Sequence, residues 1–190
     1  TRVVTSVPCA AAFGEGAVWG TGWGAVATGA GAVFGLTGAA VFGGKVYFHD
    51  YDEKNNLWMV RCGSLADSKE IWRWSYERPI ASHHNITRTV PAVDGQYVVS
   101  LDPMCVLHCF DAASGKRLWA RDLVAEFEVK IPQWYNGQCP LNEPDRVVIG
   151  VGGKDALMAA VEKATGKLIW RTPNPANAKI DMAHSSPMAM

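Results

Sequence analysis

A chain of 190 residues is long enough to bury a sizeable core, either as one domain or as part of a larger one. Its 18 basic and 18 acidic side chains cancel and no basic run occurs, so a phosphate-backbone partner has no electrostatic support. The five cysteines, an odd number, argue against a complete disulfide framework.

Residues 1–15 carry a short apolar stretch around Val3, Val4, Val7 and Ala10–Ala12. It has the flavour of a signal peptide but is broken by Thr, Ser and Pro. Residues 16–44 hold no charge and ten glycines. One reading is a membrane-crossing helix with close-packing Gly16, Gly20 and Gly24, although each glycine weakens a helix by about 1 kcal/mol relative to alanine. A second is a dinucleotide fingerprint, Gly22-x-Gly24-x-x-Ala27 with Asp50 further on, but its helix would have to contain Gly29, Gly31 and Gly35. The preferred reading is short strands with glycine turns, including Ala39–Phe42. Disorder is the remaining alternative.

Lys45–His49 is a strand signal, and the loop Asp50-Tyr-Asp52-Glu53-Lys-Asn-Asn56 is oxygen-rich. It lacks the glycine and terminal Glu of a calcium loop and reads as a solvated hairpin tip. Ser82-His83-His84-Asn85 is a paired-histidine loop with no carboxylate at a defined spacing, so loop polarity is the simpler reading. Gln96–Leu101 and Arg146–Val151 are β-branched strands that follow turn signals at Asp94-Gly95 and Asn136-Gly137. Cys105, His108 and Cys109 look like a metal cluster. However, residues four apart on a strand are separated by about 13 Å, too far for one ion or one disulfide. The connection 122–145, with Trp134-Tyr135-Asn136-Gly137, is the best candidate recognition surface, because long loops between regular units often carry function.

Three stretches are in phase. Asp111-Ala-Ala-Ser-Gly115-Lys116-Arg-Leu118-Trp119 is the clearest. Glu162-Lys-Ala164-Thr-Gly166-Lys167-Leu-Ile169-Trp170 matches it, and Ser64-Leu-Ala66-Asp-Ser68-Lys69-Glu-Ile71-Trp72 is a worn copy. The tryptophans are 47 and 51 residues apart, a period typical of propellers and solenoids. Each copy reads as strand, tight turn, strand. Gly115 and Gly166 sit where the turn needs a positive backbone dihedral, and Ser68 in that place predicts a looser turn or one of another type.

The Ala-(Ser/Thr)-Gly-Lys-x-(Leu/Ile)-Trp repeat resembles the tryptophan-docking motif of pyrroloquinoline-quinone (PQQ)-like β-propellers. This family includes quinoprotein dehydrogenases and the periplasmic lipoprotein scaffold of outer-membrane protein assembly. The resemblance covers about residues 39–190 and speaks for the fold rather than the chemistry. It implies an all-β propeller of four-stranded antiparallel blades, about four of them present. The blades fall at about 44–78, 86–122 and 134–173, with the start of another at 183–190 and a degenerate blade within 1–43. It implies a non-catalytic scaffold for protein binding or assembly in the periplasm or elsewhere outside the cytoplasm, with a fragment of a PQQ-dependent dehydrogenase as the alternative. Enzymes of the family show adjacent cysteines at the quinone and Glu, Asn and Asp around calcium; this sequence has no Cys-Cys pair. No residue is therefore assigned as catalytic, cofactor-binding or metal-binding. No cofactor is expected, with PQQ and calcium entering only under the alternative. The expected partner is a protein or further blades, not nucleic acid, and membrane association is not expected. An open arc of about four blades leaves two apolar faces uncovered, near 16–42 and 169–190, to be met by a second copy or by further blades.

Overall fold

The computed structural model describes residues 38–80, 89–175, 182 and 185–188. The expectations for residues 1–37, for Cys9 and for His83 and His84 lie outside these residues. Twelve strands form three four-stranded antiparallel sheets. The first contains β1 (Ala39–Phe42), β2 (Lys45–Asp52), β3 (Leu57–Ser64) and β4 (Glu70–Glu77). The second contains β5 (Ala92–Val93), β6 (Tyr97–Leu101), β7 (Val106–Asp111) and β8 (Arg117–Asp122). The third contains β9 (Leu141–Asn142), β10 (Arg146–Gly150), β11 (Met158–Glu162) and β12 (Leu168–Thr172). In every sheet spatial order equals chain order, the arrangement of propeller blades, so the described chain is part of a β-propeller. One short helix, α1 (Leu123–Phe127), opens the connection to the third sheet, and the Asp122 carboxylate caps it by accepting from the Val124 and Ala125 N–H groups.

The expected boundary at residue 44 falls inside a hairpin. Ala39–Phe42 pairs with Lys45–Phe48 and forms the inner strand of the first sheet. Gly43 and Gly44 both have positive φ, as a two-residue hairpin turn requires. The third sheet likewise begins at Leu141, several residues beyond the expected start at 134.

The sheets stack through side chains of both faces of the middle blade. From β6, Val98 enters the core with Tyr47, Trp58, Val60 and Phe110. Val99 and Leu101 enter the other core, with Val147, Ile149 and Val161. A strand covered on both faces has no polar alternation, and for that reason Val98–Leu101 and Leu107–Phe110 are buried without interruption. Each such aliphatic side chain contributes about 1.5–3 kcal/mol relative to exposure.

The repeated turn is the same in all three blades. Ser64, Asp111 and Glu162 each donate their N–H to the carbonyl five residues on and accept the N–H four residues on. Ser68 has φ 57°, close to the 72° and 74° of Gly115 and Gly166. The expectation of a looser first turn is thus corrected: the hydrogen-bond frame imposes the left-handed conformation on a serine. Past each turn the ladder shifts register at one place, between Cys62 and Gly63, Cys109 and Phe110, and Ala160 and Val161. At the inner edge the Val90 N–H donates to Cys139 Sγ at 3.2 Å, and the Cys139 N–H donates to Ser186 Oγ at 2.9 Å. Ser186 therefore lies against the residues that lead into β9.

Candidate functional site

Because neighbouring strands are antiparallel, the hairpins 53–56, 102–105 and 151–157 share one end of the sheets with the connections that leave β4 and β8. Two features stand out there: a buried polar joint between the first two blades, and the connection 123–140.

The joint is centred on Asp102, which is fully buried at the end of β6. Its Oδ1 accepts the Val106 N–H at 2.7 Å and holds the β6–β7 turn, in which Cys105 has a positive φ of 68°. Its Oδ2 accepts from the Tyr76 hydroxyl and lies 3.2 Å from the Arg78 guanidinium. Arg78 donates to the same hydroxyl from Nε at 2.8 Å and lies 5.0 Å over the Tyr76 ring. Burial pushes the Asp102 carboxyl upward. The His108 side chain, the Tyr76 hydroxyl and the Val106 N–H outweigh it and hold the carboxyl below its ordinary value.

His108 stacks on Trp58, with centroids 5.6 Å apart, and is walled by Trp74, Tyr76 and Phe110. Its Nε2 is 3.8 Å from Asp102 Oδ2, beyond a hydrogen bond. Neither ring nitrogen has a hydrogen-bond partner among the described residues, and the same holds for Trp58 Nε1. Burial is the main cause that lowers the His108 pKa. Trp58 also packs against His49, which contacts Ser100 Oγ through Nε2 and the Thr89 carbonyl, 3.0 Å away, through Nδ1. Burial pushes its pKa down to about 3. By residue type Ser100, His49 and Asp102 could form a nucleophile, a base and an acid. All three are buried, and the His49 ring nitrogens face Ser100 and Thr89 rather than Asp102.

The cysteines that suggested a cluster point to separate partners. The Cys105 thiol meets Met182 Sδ at 3.2 Å and the Cys109 thiol donates to the Lys163 carbonyl at 3.4 Å. Lys163 itself is a buried cross-link between the second and third blades. Its Nζ contacts the Asp94 carboxylate and donates to Asn142 Oδ1 at 3.1 Å and to the Glu143 carbonyl at 2.6 Å. Lys163→Ala is expected to cost about 2–3 kcal/mol, below the full range for a buried pair because Asp94 stays partly solvated. Urea unfolding of the variant checks it.

The connection 123–140 is tied down on the C-terminal side of its aromatic stretch. The Asn136 N–H donates to the Pro103 carbonyl at 3.1 Å, and the Gln138 amide pairs with both the N–H and the carbonyl of Gly150. Between these anchors and α1, Ile131 and Trp134 are exposed, Trp134 by 50 %. The Trp134 indole is thus half exposed next to an anchored stretch of the loop. Of the residues singled out in sequence, Trp134 and the hairpin tip 53–56 are exposed, whereas Asn136 is buried. The joint around Asp102 was missed, since its members are scattered from 49 to 108 in the chain.

Across each seam between blades the tryptophan of one outer strand reaches the turn of the next blade. Trp72 Nε1 donates to the Ala112 carbonyl at 3.1 Å and Trp119 Nε1 to the Lys163 carbonyl at 2.7 Å. Their rings lie against Gly115 and Gly166.

Comparison with known proteins agrees with this architecture. Residues 59–189 match the family described as outer membrane protein assembly factor BamB. A 1-butanol dehydrogenase (cytochrome c) of Thauera butanivorans is 31 % identical over 134 residues, which make up 67 % of this chain but only 18 % of the dehydrogenase. The crystal structure of BamB from Moraxella catarrhalis superposes with a TM-score of 0.50 at 17 % identity, over 73 % of this chain and 37 % of that one. The quinohemoprotein alcohol dehydrogenase ADHIIG of Pseudomonas putida HK5 superposes with a TM-score of 0.50 at 25 % identity, over 72 % of this chain and 20 % of the enzyme.

Proposed function

Because the chain belongs to the PQQ-like β-propeller repeat family, we propose that it acts as a non-catalytic propeller scaffold that binds protein through the connection face of its blades. The observation that carries this reading is the half-exposed Trp134, on a loop that also exposes Ile131 and is anchored through Asn136 and Gln138. A rigid aromatic anchor is the kind of residue that dominates a protein interface. The side chains suited to acid–base chemistry, His49, Ser100, Asp102 and His108, are by contrast packed into a seam. The family resemblance supports a location outside the cytoplasm. Among the described residues no helix is long and apolar enough to cross a membrane.

A second reading, a fragment of a quinone-dependent alcohol dehydrogenase, is favoured by the identity to the 1-butanol dehydrogenase. The described residues offer no complete metal site of their own. No group of three or more His, Cys, Asp or Glu among them could hold a metal. Among the described residues the one deeply buried carboxylate, Asp102, is already held by Tyr76, Arg78 and Val106.

Trp134→Ala is the test. It is expected to weaken partner binding by roughly tenfold or more, as loss of an aromatic anchor does, while the unfolding midpoint stays within the small range of a surface change. Unchanged binding would overturn the assignment of this face. Calcium-dependent dye reduction with 1-butanol by the purified chain and added PQQ would favour the dehydrogenase reading instead.

A further inference from the structure

In the first seam three oxidisable rings touch pairwise. Ring centroids are 5.0 Å apart for Trp74 and Tyr76, 5.8 Å for Trp58 and Tyr76, and 6.4 Å for Trp58 and Trp74. Indoles and phenols give up a single electron more readily than aliphatic or amide side chains, and rings in contact pass an electron between them. Trp58 is sealed in the core, whereas Trp74 is half-buried on the outer strand β4 and forms the way in from the rim. The Arg117 guanidinium lies 5.1 Å over the Trp74 ring. A fixed positive charge there disfavours a cation on the indole, so an electron vacancy that enters at Trp74 is driven on to its neighbour.

An oxidised phenol is a strong acid and must lose its proton. The Tyr76 hydroxyl donates to Asp102 Oδ2, and Asp102 is fully buried and held in its ionised form. A proton acceptor within hydrogen-bond reach is therefore already in place. Tyr47 and Tyr51 give their hydroxyl protons to the Ala112 carbonyl and the Asn56 amide oxygen, neither of which can keep one. Arg78 Nε donates to the Tyr76 oxygen at 2.8 Å and remains a donor once the proton has gone. Protonated Asp102 no longer balances Arg78, but that side chain is 26 % exposed and reaches solvent. In the second seam the positions two and four residues past the tryptophan hold Arg121 and Leu123, so the arrangement belongs to the first seam.

We infer that Trp74 and Tyr76 form an electron-transfer pair: Tyr76 gives an electron through Trp74 to an oxygen-centred radical at the outer rim, while its proton passes to Asp102. The Tyr76 O–H, the Asp102 carboxylate and a peroxyl radical become the Tyr76 phenoxyl radical, the Asp102 carboxylic acid and a peroxide anion. The anion takes a proton from water and leaves as a hydroperoxide. One electron leaves the phenol, one reaches the oxidant, and the O–H bond of Tyr76 is the only bond of the chain that breaks.

Flash photolysis of the full chain with a ruthenium polypyridyl photo-oxidant, the probe standing for the surface radical, tests this. Transient absorption and freeze-quench electron paramagnetic resonance read the product. The parent is expected to yield a phenoxyl radical, formed more slowly in heavy water because a proton moves with the electron. Its rate should not change with buffer concentration, because the acceptor lies inside the chain. Tyr76→Phe keeps a ring in the aromatic wall and should lose most of the phenoxyl signal, leaving a short-lived indole radical. Trp74→Phe should give the same phenoxyl radical in lower yield. The inference is overturned if Tyr76→Phe retains the full phenoxyl signal, or if Trp74→Phe forms it as readily as the parent. It is also overturned if the parent's rate rises with buffer concentration, which would place the proton acceptor in solvent. That last measurement uses the parent alone and stands whether or not the variants fold.

Discussion

Trp72→Ala is expected to lower the stability of the chain by roughly 3–5 kcal/mol, the range for removing a large buried aromatic side chain. The ring is 8 % exposed, lies 6.0 Å from Tyr47 and 6.4 Å from Phe110, and covers the backbone of Gly115. The substitution empties the seam on the first blade and strips the Ala112 carbonyl of its 3.1 Å donor. The surroundings cannot collapse into the space, because both flanking sheets are fixed by their own ladders. Trp119→Ala should fall toward the lower end of that range, since its ring is only partly buried. Chemical denaturation gives the numbers; a loss below about 1 kcal/mol for Trp72→Ala would mean that the indole does not hold the seam.

Acid is expected to have an effect of similar size. His49 titrates near 3 in the folded chain and near 6.5 when unfolded, because burial disfavours the imidazolium. The unfolded chain therefore binds more protons between those values. The stability from keeping His49 neutral is complete above about pH 6.5 and is lost as pH falls, at up to about 1.4 kcal/mol per unit. By pH 4 the loss from this one group is about 3 kcal/mol. His108, also lowered by burial, acts in the same direction. Urea unfolding at pH 7, 5.5 and 4 measures it, and His49→Gln should flatten the slope. A parent chain equally stable at pH 7 and pH 4 would contradict the sealed joint.

How much could be read from sequence follows from how far apart the cooperating residues lie. The repeated turns and their tryptophans are local, nine residues long and in phase, and they led directly to the blades. The strands Tyr97–Leu101 and Arg146–Gly150 are legible for the same reason, as short β-branched runs bounded by turns. Ala39–Phe42 is less so: Ala-Ala-Val-Phe has little intrinsic signal, and pairing with β2 across Gly43-Gly44 makes it a strand. α1 is a five-residue helix that rests on its Asp122 cap and on burial of Leu123 and Phe127. The joint of His49, Tyr76, Arg78, Asp102 and His108 was invisible, since these residues meet only when two blades pack. Their local neighbourhoods look like ordinary strand and loop. That Trp134 would stand on a loop was legible from the glycine-containing connection around it, and its exposure agrees with that placement.

The register shift shared by the three blades also bears on how such a chain can grow or shrink. In each copy the tryptophan stands four residues beyond the left-handed turn position, and the ladder slips once between them and the preceding strand. A single added or deleted residue there would reverse the facing of everything that follows and turn the indole away from the neighbouring blade. The spacing of the tryptophans nevertheless differs, 47 against 51 residues. The difference is taken up elsewhere, in the hairpin 151–157, longer than 102–105, and in the connection 123–140, where the ladders impose no count. Insertions and deletions in related chains should therefore gather at that one end of the blades, leaving the opposite end, with its turns and tryptophans, constant in length.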